Sequence, residues 1–473
     1  MTDADAVVVG AGPNGLVAAV ALAEAGLRVT LLEAAERPGG GLRTEELTLP
    51  GFRHDIGATV HALALASPAF RALDLTREGL AFAHPAIPLG HAIAPGDSVL
   101  LHRSVADTAA GLGRDGRRWA GVIGGLGAHW EGLAESVLEL THLPPRAPLT
   151  LLDFGMHGLF PATFPIRFAF HEEPARALLA GLAAHAALPL GALGSAAFGI
   201  VLGALAHGVG WPVAVGGSER VADALVARFA SLGGELVTGH RVASLDRLPS
   251  APMTILDVGA RQFAAIAGDR LPSGYRRRLE GWRSGPGVFK LDWALDGPIP
   301  WADPALASAG TVHLGGPAAA VVASEAAVHR GRISEEPYVL LVQPTVADPS
   351  RAPAGKHTAW AYIHVPNGWD GDATSLIESR VEAFAPGFRE RILGRHAFTP
   401  AALEAWDANL VGGDIGGGSN ELRQLFARPR LSRTPWRTPL PGVYLASAST
   451  LPGGGVHGMS GWNAAKDALR RLG

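Results

Sequence analysis

The chain opens with apolar runs separated by glycines and small residues. VVVG at residues 7–10 is followed by LVAAVALAEAG at 16–26 and VTLLE at 29–33. A short unbroken apolar run that ends in a turn predicts a strand buried on both faces, and the alanine-rich stretch has helical length and propensity. Strand, tight turn, helix, strand is therefore the predicted order. The same grammar returns much later. Residues 218–232 predict an amphipathic helix with Val221, Leu225, Val226 and Phe229 on its apolar side, and strands follow at about 235–245 and 252–259. Near the C-terminus a strand over 443–447, a glycine turn at 453–455 and a helix complete the pattern.

Between these segments the periodicity differs. Residues 67–210 alternate helix-like stretches with Pro-rich breaks such as THLPPRAPLT, whereas 285–301 and two runs within 338–366 alternate as strands do. Residues 47–61 predict a short hairpin and a loop, and 411–422 a glycine-rich loop. The expected fold is α/β: a Rossmann-type nucleotide domain, discontinuous in sequence, and a substrate domain of mixed sheet and helices. The expected boundaries are 1–80, 212–265 and 430–473 for the first, and 81–211 with 266–429 for the second.

Residues 178–211 contain no charged side chain. Such a length invites a transmembrane reading. Against it, Pro189 interrupts the stretch, glycine and alanine dominate, and basic flanking anchors are missing. Buried helices that wall an apolar cavity are the expectation, with monotopic contact with a bilayer or a span as alternatives.

Composition narrows the function classes. The chain has 473 residues, enough for two domains, and a formal net charge of −3, which gives no electrostatic case for nucleic acid. It has no cysteine, which excludes disulfides, thiolate metal sites and a redox dithiol. No metal site is expected. The acidic start, MTDADAVVVG, predicts no leader peptide and hence a cytoplasmic location.

The first motif, GAGPNG, has a dinucleotide chemistry. Gly10 allows the reversal after the strand, Gly12 lets backbone approach a pyrophosphate, and Gly15 allows helix to pack on strand, with Pro13 and Asn14 opening the helix. The helix N-terminus then presents N–H groups to the phosphates. Glu33, at the end of the second strand, is placed to accept hydrogen bonds from ribose hydroxyls.

The continuation ERPGGGLRT at 36–44 resembles the second flavin signature of the FAD-dependent clan that includes amine oxidases and phytoene desaturases. The resemblance implies FAD, with Arg37, Gly39 and Gly40 along the pyrophosphate. It implies also that HDIGATVH, with Gly57 and Ala58, passes the isoalloxazine ring, and that backbone at Val242 lies beside the adenine half. His61 is then either a wall residue of the active site or an ordinary histidine bonded to backbone. Lys290, in GPGVFKLDWALDGPIPW, matches the lysine that in such enzymes reaches the flavin N5 through water, with Pro300 and Trp301 as landmarks; the alternative is a lysine snorkelling at a sheet edge. In LPGGGVHGMSGWNAA a helix starting near 456–458 would stabilise negative charge on the reduced ring, with Ser447, Gly455, Val456, Gly458 and Met459 as contacts. His457 there is either a helix cap or a catalytic group.

Taken together, these motifs resemble the phytoene dehydrogenase-like branch of that clan over nearly the whole chain. No second dinucleotide fingerprint follows. The resemblance implies an oxidoreductase that dehydrogenates a small, largely apolar substrate with oxygen or a quinone as acceptor, the base coming from Lys290, His61 or His457. Oxidation of a C–N bond is a second reading. A third is a non-redox flavoprotein that isomerises its substrate or scaffolds a partner.

Overall fold

In the computed structural model, residues 4–472 are described apart from 140, 141 and 143. The Pro-rich break at 141–150 and the acidic N-terminal residues therefore lie partly outside the described residues.

Two sheets carry the molecule. The first is parallel and five-stranded, in the order Val443–Leu445, Met253–Leu256, Ala6–Val9, Val29–Leu32, Glu235–Val237. Strands Ala6–Val9, Val29–Leu32 and Met253–Leu256 are buried along their whole length, as the unbroken apolar runs require. Helices Pro13–Glu24 and Met459–Leu469 cover it and touch closely: a Cβ on Gly461 would lie 1.8 Å from the carbonyl oxygen of Asn14.

The second sheet is mixed and seven-stranded, in the order Ile392–Phe398, Gly287–Leu295, His357–Val365, Val339–Val342, Ala309–Leu314, Ile87–Ala94, Asp97–Leu101. All its pairings are antiparallel except Ala309–Leu314 with Ile87–Ala94. One face packs on a core that includes Phe289, Leu291, Trp293, Leu341 and Phe388. The other face looks toward the first sheet.

The uncharged stretch forms parts of two helices, Glu173–Ala184 and Ser195–Gly208, with Pro189 between them. Their small residues have a packing reason, since a Cβ on Gly199 would come within 3.0 Å of the backbone nitrogen of Ala183. Among the described residues no helix is long and apolar enough to cross a membrane. Apart from Leu193, the exposed large apolar side chains lie elsewhere. Helices Pro148–Gly158 and Thr163–Phe168 present Leu149, Leu152, Met156, Phe164 and Phe168 outward, with Leu149 80% exposed and Phe168 62%.

Candidate functional site

One cavity of about 750 Å³ runs between the two sheets. At one end the chain turns at Gly10, whose φ of +94° suits glycine. A Cβ on Gly15 would sit 1.9 Å from the Gly10 carbonyl oxygen, and one on Gly12 2.8 Å from Oδ2 of Asp257. A side chain at Gly15 would displace the turn, and one at Gly12 would push the Asp257 carboxylate aside. Gly10, Gly12, Pro13, Asn14 and Gly40 line this end of the cavity. Helix Pro13–Glu24 begins here without a side-chain cap.

Glu33 also faces the cavity, and its carboxylate organises the turn. Oε2 accepts from the N–H of Ala11 at 2.6 Å and Oε1 from that of Ala35 at 2.8 Å. Asp257 accepts from the N–H of Gly15 at 2.8 Å. Burial, followed by repulsion from Asp407 and Glu33, pushes its carboxyl up to about 7. Arg37 lies at the rim, paired to Glu219 at 2.6 Å.

The opposite wall is the inner face of the mixed sheet. Lys290, Trp360 and Tyr362 stand there together, because Lys290 pairs with Tyr362 across the strands and Trp360 lies two residues before Tyr362 on the same face. The Trp360 and Tyr362 rings stack, with centroids 5.9 Å apart and 15° between planes. Lys290 is 3% exposed, so it is not a surface lysine. Its Nζ donates to Asp292 at 2.5 and 2.6 Å and to the Asp55 carbonyl at 3.1 Å. A lysine ammonium has three donors, and these three oxygens take all of them. Beneath it a second buried ion pair joins Arg351 to Asp55 at 2.6 Å, both side chains fully buried. Burial pushes the Asp55 carboxyl up, yet Arg351 and the hydrogen bonds it receives bring it below its usual range.

Of the residues singled out from the sequence, Gly10, Gly12, Pro13, Asn14, Glu33, Arg37, Gly40, Gly57, Ala58, Val242, Lys290, Ser447, Gly455 and Val456 line this one cavity. Gly15, Gly39, Gly458 and Met459 stand behind its wall. Gly39 donates to the Ala11 carbonyl at 2.8 Å, and a Cβ on Gly458 would be 2.5 Å from Val17. Helix Met459–Leu469 starts later than the expected 456–458, and the N–H of Met459 is taken by Nδ1 of His457 at 3.1 Å. Val242 belongs to the loop after the strand, which ends at Val237.

Two histidines stand off the cavity. His61 does not line the cavity; its Nε2 meets Oγ of Ser218 at 2.9 Å, and burial lowers it to about 4. His457 is likewise turned away, with Nε2 on the Gly453 carbonyl at 3.2 Å and burial lowering it to about 4. The landmark Trp301 also stays off the wall and donates to Gln343 at 3.1 Å. Sequence reasoning missed His185, Trp360, Tyr362, Arg43 and Trp406, all at the cavity. Strand alternation around Lys290 and Tyr362 could have located the aromatic pair. No local signal marks His185.

The fit to a dinucleotide is geometric. The turn leaves no room for a Cβ at Gly15, the Asp257 carboxylate crowds one at Gly12, and the cavity continues from there to the sheet wall. Among the described residues no group of three or more histidine, aspartate or glutamate side chains could hold a metal ion.

Comparisons with known proteins agree with this geometry. Residues 8–74 match the model of the NAD(P)-binding Rossmann-like domain. Over 99% of its length the chain is 26% identical to pyridine nucleotide-disulfide oxidoreductase domain-containing protein 2 of Rattus norvegicus, covering 94% of that protein. No CxxC pair exists here to serve a disulfide. A solved structure of wild-type putrescine oxidase bound to putrescine superposes with a TM-score of 0.61 at 17% identity, covering 99% of each chain, which speaks for the fold. Phytoene dehydrogenase of Streptomyces griseus is 30% identical over 76% of this chain and 73% of its own. A glycine turn and ribose-side acid facing a sheet-borne lysine across one cavity, with a relative this similar over this length, mean that the chain belongs to the phytoene dehydrogenase-like family of FAD-dependent oxidoreductases.

Proposed function

We propose that the protein binds FAD and dehydrogenates a small, largely apolar molecule, forming a C=C bond, with oxygen or a quinone as the final acceptor. The observation that carries this reading is the continuity of the cavity. It begins at the glycine turn and Glu33, passes Lys290, and ends among Val60, Leu63, Leu202, Leu340 and Val342. FAD, when bound, supplies the two-electron acceptor. The chain's own part is to hold the dinucleotide with backbone N–H groups and Glu33, to seat a C–H bond beside Lys290, and to keep water out with aliphatic walls. Lys290, fixed by Asp292, is the group proposed to order a water at the ring, turning one donor from the Asp55 carbonyl, its longest contact, to do so.

The stacked Trp360 and Tyr362 favour a second reading, oxidation of a C–N bond, since flat aromatic faces beside a lysine suit an amine. Anaerobic mixing with candidate substrates tests both. Bleaching by alkenes or saturated precursors supports the first, bleaching by amines the second, and no bleaching with any substrate supports a non-redox role.

A weak peripheral membrane contact is part of the proposal, with a cytoplasmic location. It is assigned to the exposed side chains of Leu149, Leu152, Met156, Phe164 and Phe168 and not to the buried 178–211 stretch. A cluster of large exposed apolar side chains on neighbouring helices is what an interfacial contact needs.

A further inference from the structure

The apolar end of the cavity holds a polar atom that the fold leaves without a partner. Thr311 lines that end, on strand Ala309–Leu314, and is 2% exposed. Its Oγ1 is buried and has no hydrogen-bond partner among the described residues. A hydroxyl can both donate and accept, and left bare in an apolar wall it forfeits the hydrogen bonds it would make in water.

The register of the mixed sheet fixes where this hydroxyl stands. Thr311 pairs with Val342, Val342 with Trp360, and Trp360 with Asp292, the partner of Lys290. Directly paired residues share a face, so Thr311 looks into the same cavity from three strands away. At about 4.7–4.9 Å per strand, that is roughly 14 Å from the Lys290–Asp292 pair. Thr311 is therefore too far to touch a bond oxidised beside Lys290, and its partner belongs to the other end of the substrate.

Charge narrows what that partner is. Strands Ala309–Leu314 and Val339–Val342 carry no Asp, Glu, Lys or Arg. The histidines here supply no charge either. His185, on the cavity wall, meets His313 at 3.0 Å, Nε2 to Nε2, and burial lowers His185 to about 3 and His313 well below its ordinary range. A carboxylate or an ammonium at this end would be buried with no counter-charge on these strands. A hydroxyl or carbonyl oxygen can bond to Thr311 without one.

We propose that Thr311 is a specificity residue, whose hydroxyl holds an uncharged oxygen, hydroxyl or carbonyl, on the end of the substrate remote from the bond that is oxidised. The inference rests on the apolar-substrate reading above, and it makes that substrate a molecule with one oxygenated end instead of a plain hydrocarbon.

Calorimetric titration of the flavin-loaded protein under anaerobic conditions tests it, with octane, octan-1-ol, octan-2-one, octanoate and octan-1-amine as probes. Each affinity is read relative to octane, in wild type, Thr311→Val and Thr311→Ser. Valine keeps the β-branched shape and removes the hydroxyl. In Thr311→Val the relative affinity of the alcohol, the ketone or both should fall about tenfold while octane binds as before, and Thr311→Ser should keep it. Which of the two probes loses affinity names the oxygen. Thr311→Val should also unfold in urea at no lower midpoint than wild type, because no hydrogen bond within the protein is lost. A clearly lower midpoint means that the hydroxyl has a partner in the free protein, and it overturns the proposal. So does an unchanged relative affinity in Thr311→Val, an equal fall in Thr311→Ser, or tightest binding by octanoate or the amine. Any of these with octane still bound overturns the subsite alone, whereas failure of all five probes to bind overturns the apolar-substrate reading beneath it.

Discussion

The two ends of the cavity are built by different means. The dinucleotide end is made of backbone: a glycine turn, helix N–H groups and a Glu33 carboxylate whose oxygens hold the N–H groups of Ala11 and Ala35. The sheet end is made of buried ionisable side chains, Lys290 on Asp292 two residues along one strand, and Arg351 on Asp55 from distant parts of the chain. A backbone site tolerates change only where no Cβ is asked for. A site of buried charges tolerates change only in pairs.

The largest effect is expected where the backbone end is broken. Glu33→Arg removes two acceptors and brings a group that cannot accept, so FAD released on denaturation should fall from one per chain to almost none. The sheet end should survive, and octane should still bind. Full flavin occupancy in the variant would refute the role given to this carboxylate.

Next comes the loss of one partner of a buried pair. Arg351→Met leaves the buried Asp55 without its cation, with only the hydrogen bonds from Thr44 and Ser218, and about 3–5 kcal/mol of stability in urea unfolding should go with it. An effect below about 1 kcal/mol would mean that the pair is not buried in solution.

Lys290→Met should keep FAD and slow either flavin reduction or its reoxidation by about tenfold or more, read by rapid-mixing absorbance. It also strands Asp292, so stability should drop. The double variant Lys290→Met with Asp292→Asn separates the two effects, since it should regain stability without regaining rate. Wild-type rates in both half-reactions would make Lys290 purely structural.

A smaller effect belongs to pH. Asp257 has its carboxyl raised to about 7, so its folded form holds a proton that the unfolded form releases near 4. Its contribution to stability is complete below about 4 and lost as pH rises through about 7. Relative to Asp257→Asn, the flavin-free wild type should therefore lose up to about 1.4 kcal/mol per pH unit across that window. Parallel curves for the two proteins would contradict the raised value.

The smallest effect is on the surface. Flotation with anionic liposomes should recover a modest fraction of the protein, and Leu152→Glu with Phe168→Glu should reduce it. Equal recovery of variant and wild type would remove the 148–168 surface from consideration.

These contrasts also explain what could be read from residues alone. Gly10, Gly12, Gly15 and Glu33 lie within one strand–helix–strand unit, so their spacing carries their geometry. Asp257 reaches Gly15 across 242 positions, and Glu325 reaches His364 across 39, with nothing local to announce either. His61 and His457 stood close to cofactor motifs in sequence yet point inward to Ser218 and Gly453, because the direction of a side chain at a loop is set by packing and not by neighbours in the chain. The Leu149, Leu152 and Met156 spacing is that of any core-facing helix, and only the fold reveals that nothing covers it.

The strand order has a further consequence, for biogenesis. Ile87 pairs with Ala309, and the parallel sheet gains its last strand only at Val443. At ribosomal speeds of about 5–20 residues per second, the hairpin of Ile87–Ala94 and Asp97–Leu101 waits on the order of ten seconds or more for its neighbour, with one edge unpaired meanwhile. Ser447, Gly455 and Val456 close the cavity later still. A nascent chain therefore has no complete pocket to load, which places cofactor capture after residues 443–456 have left the ribosome.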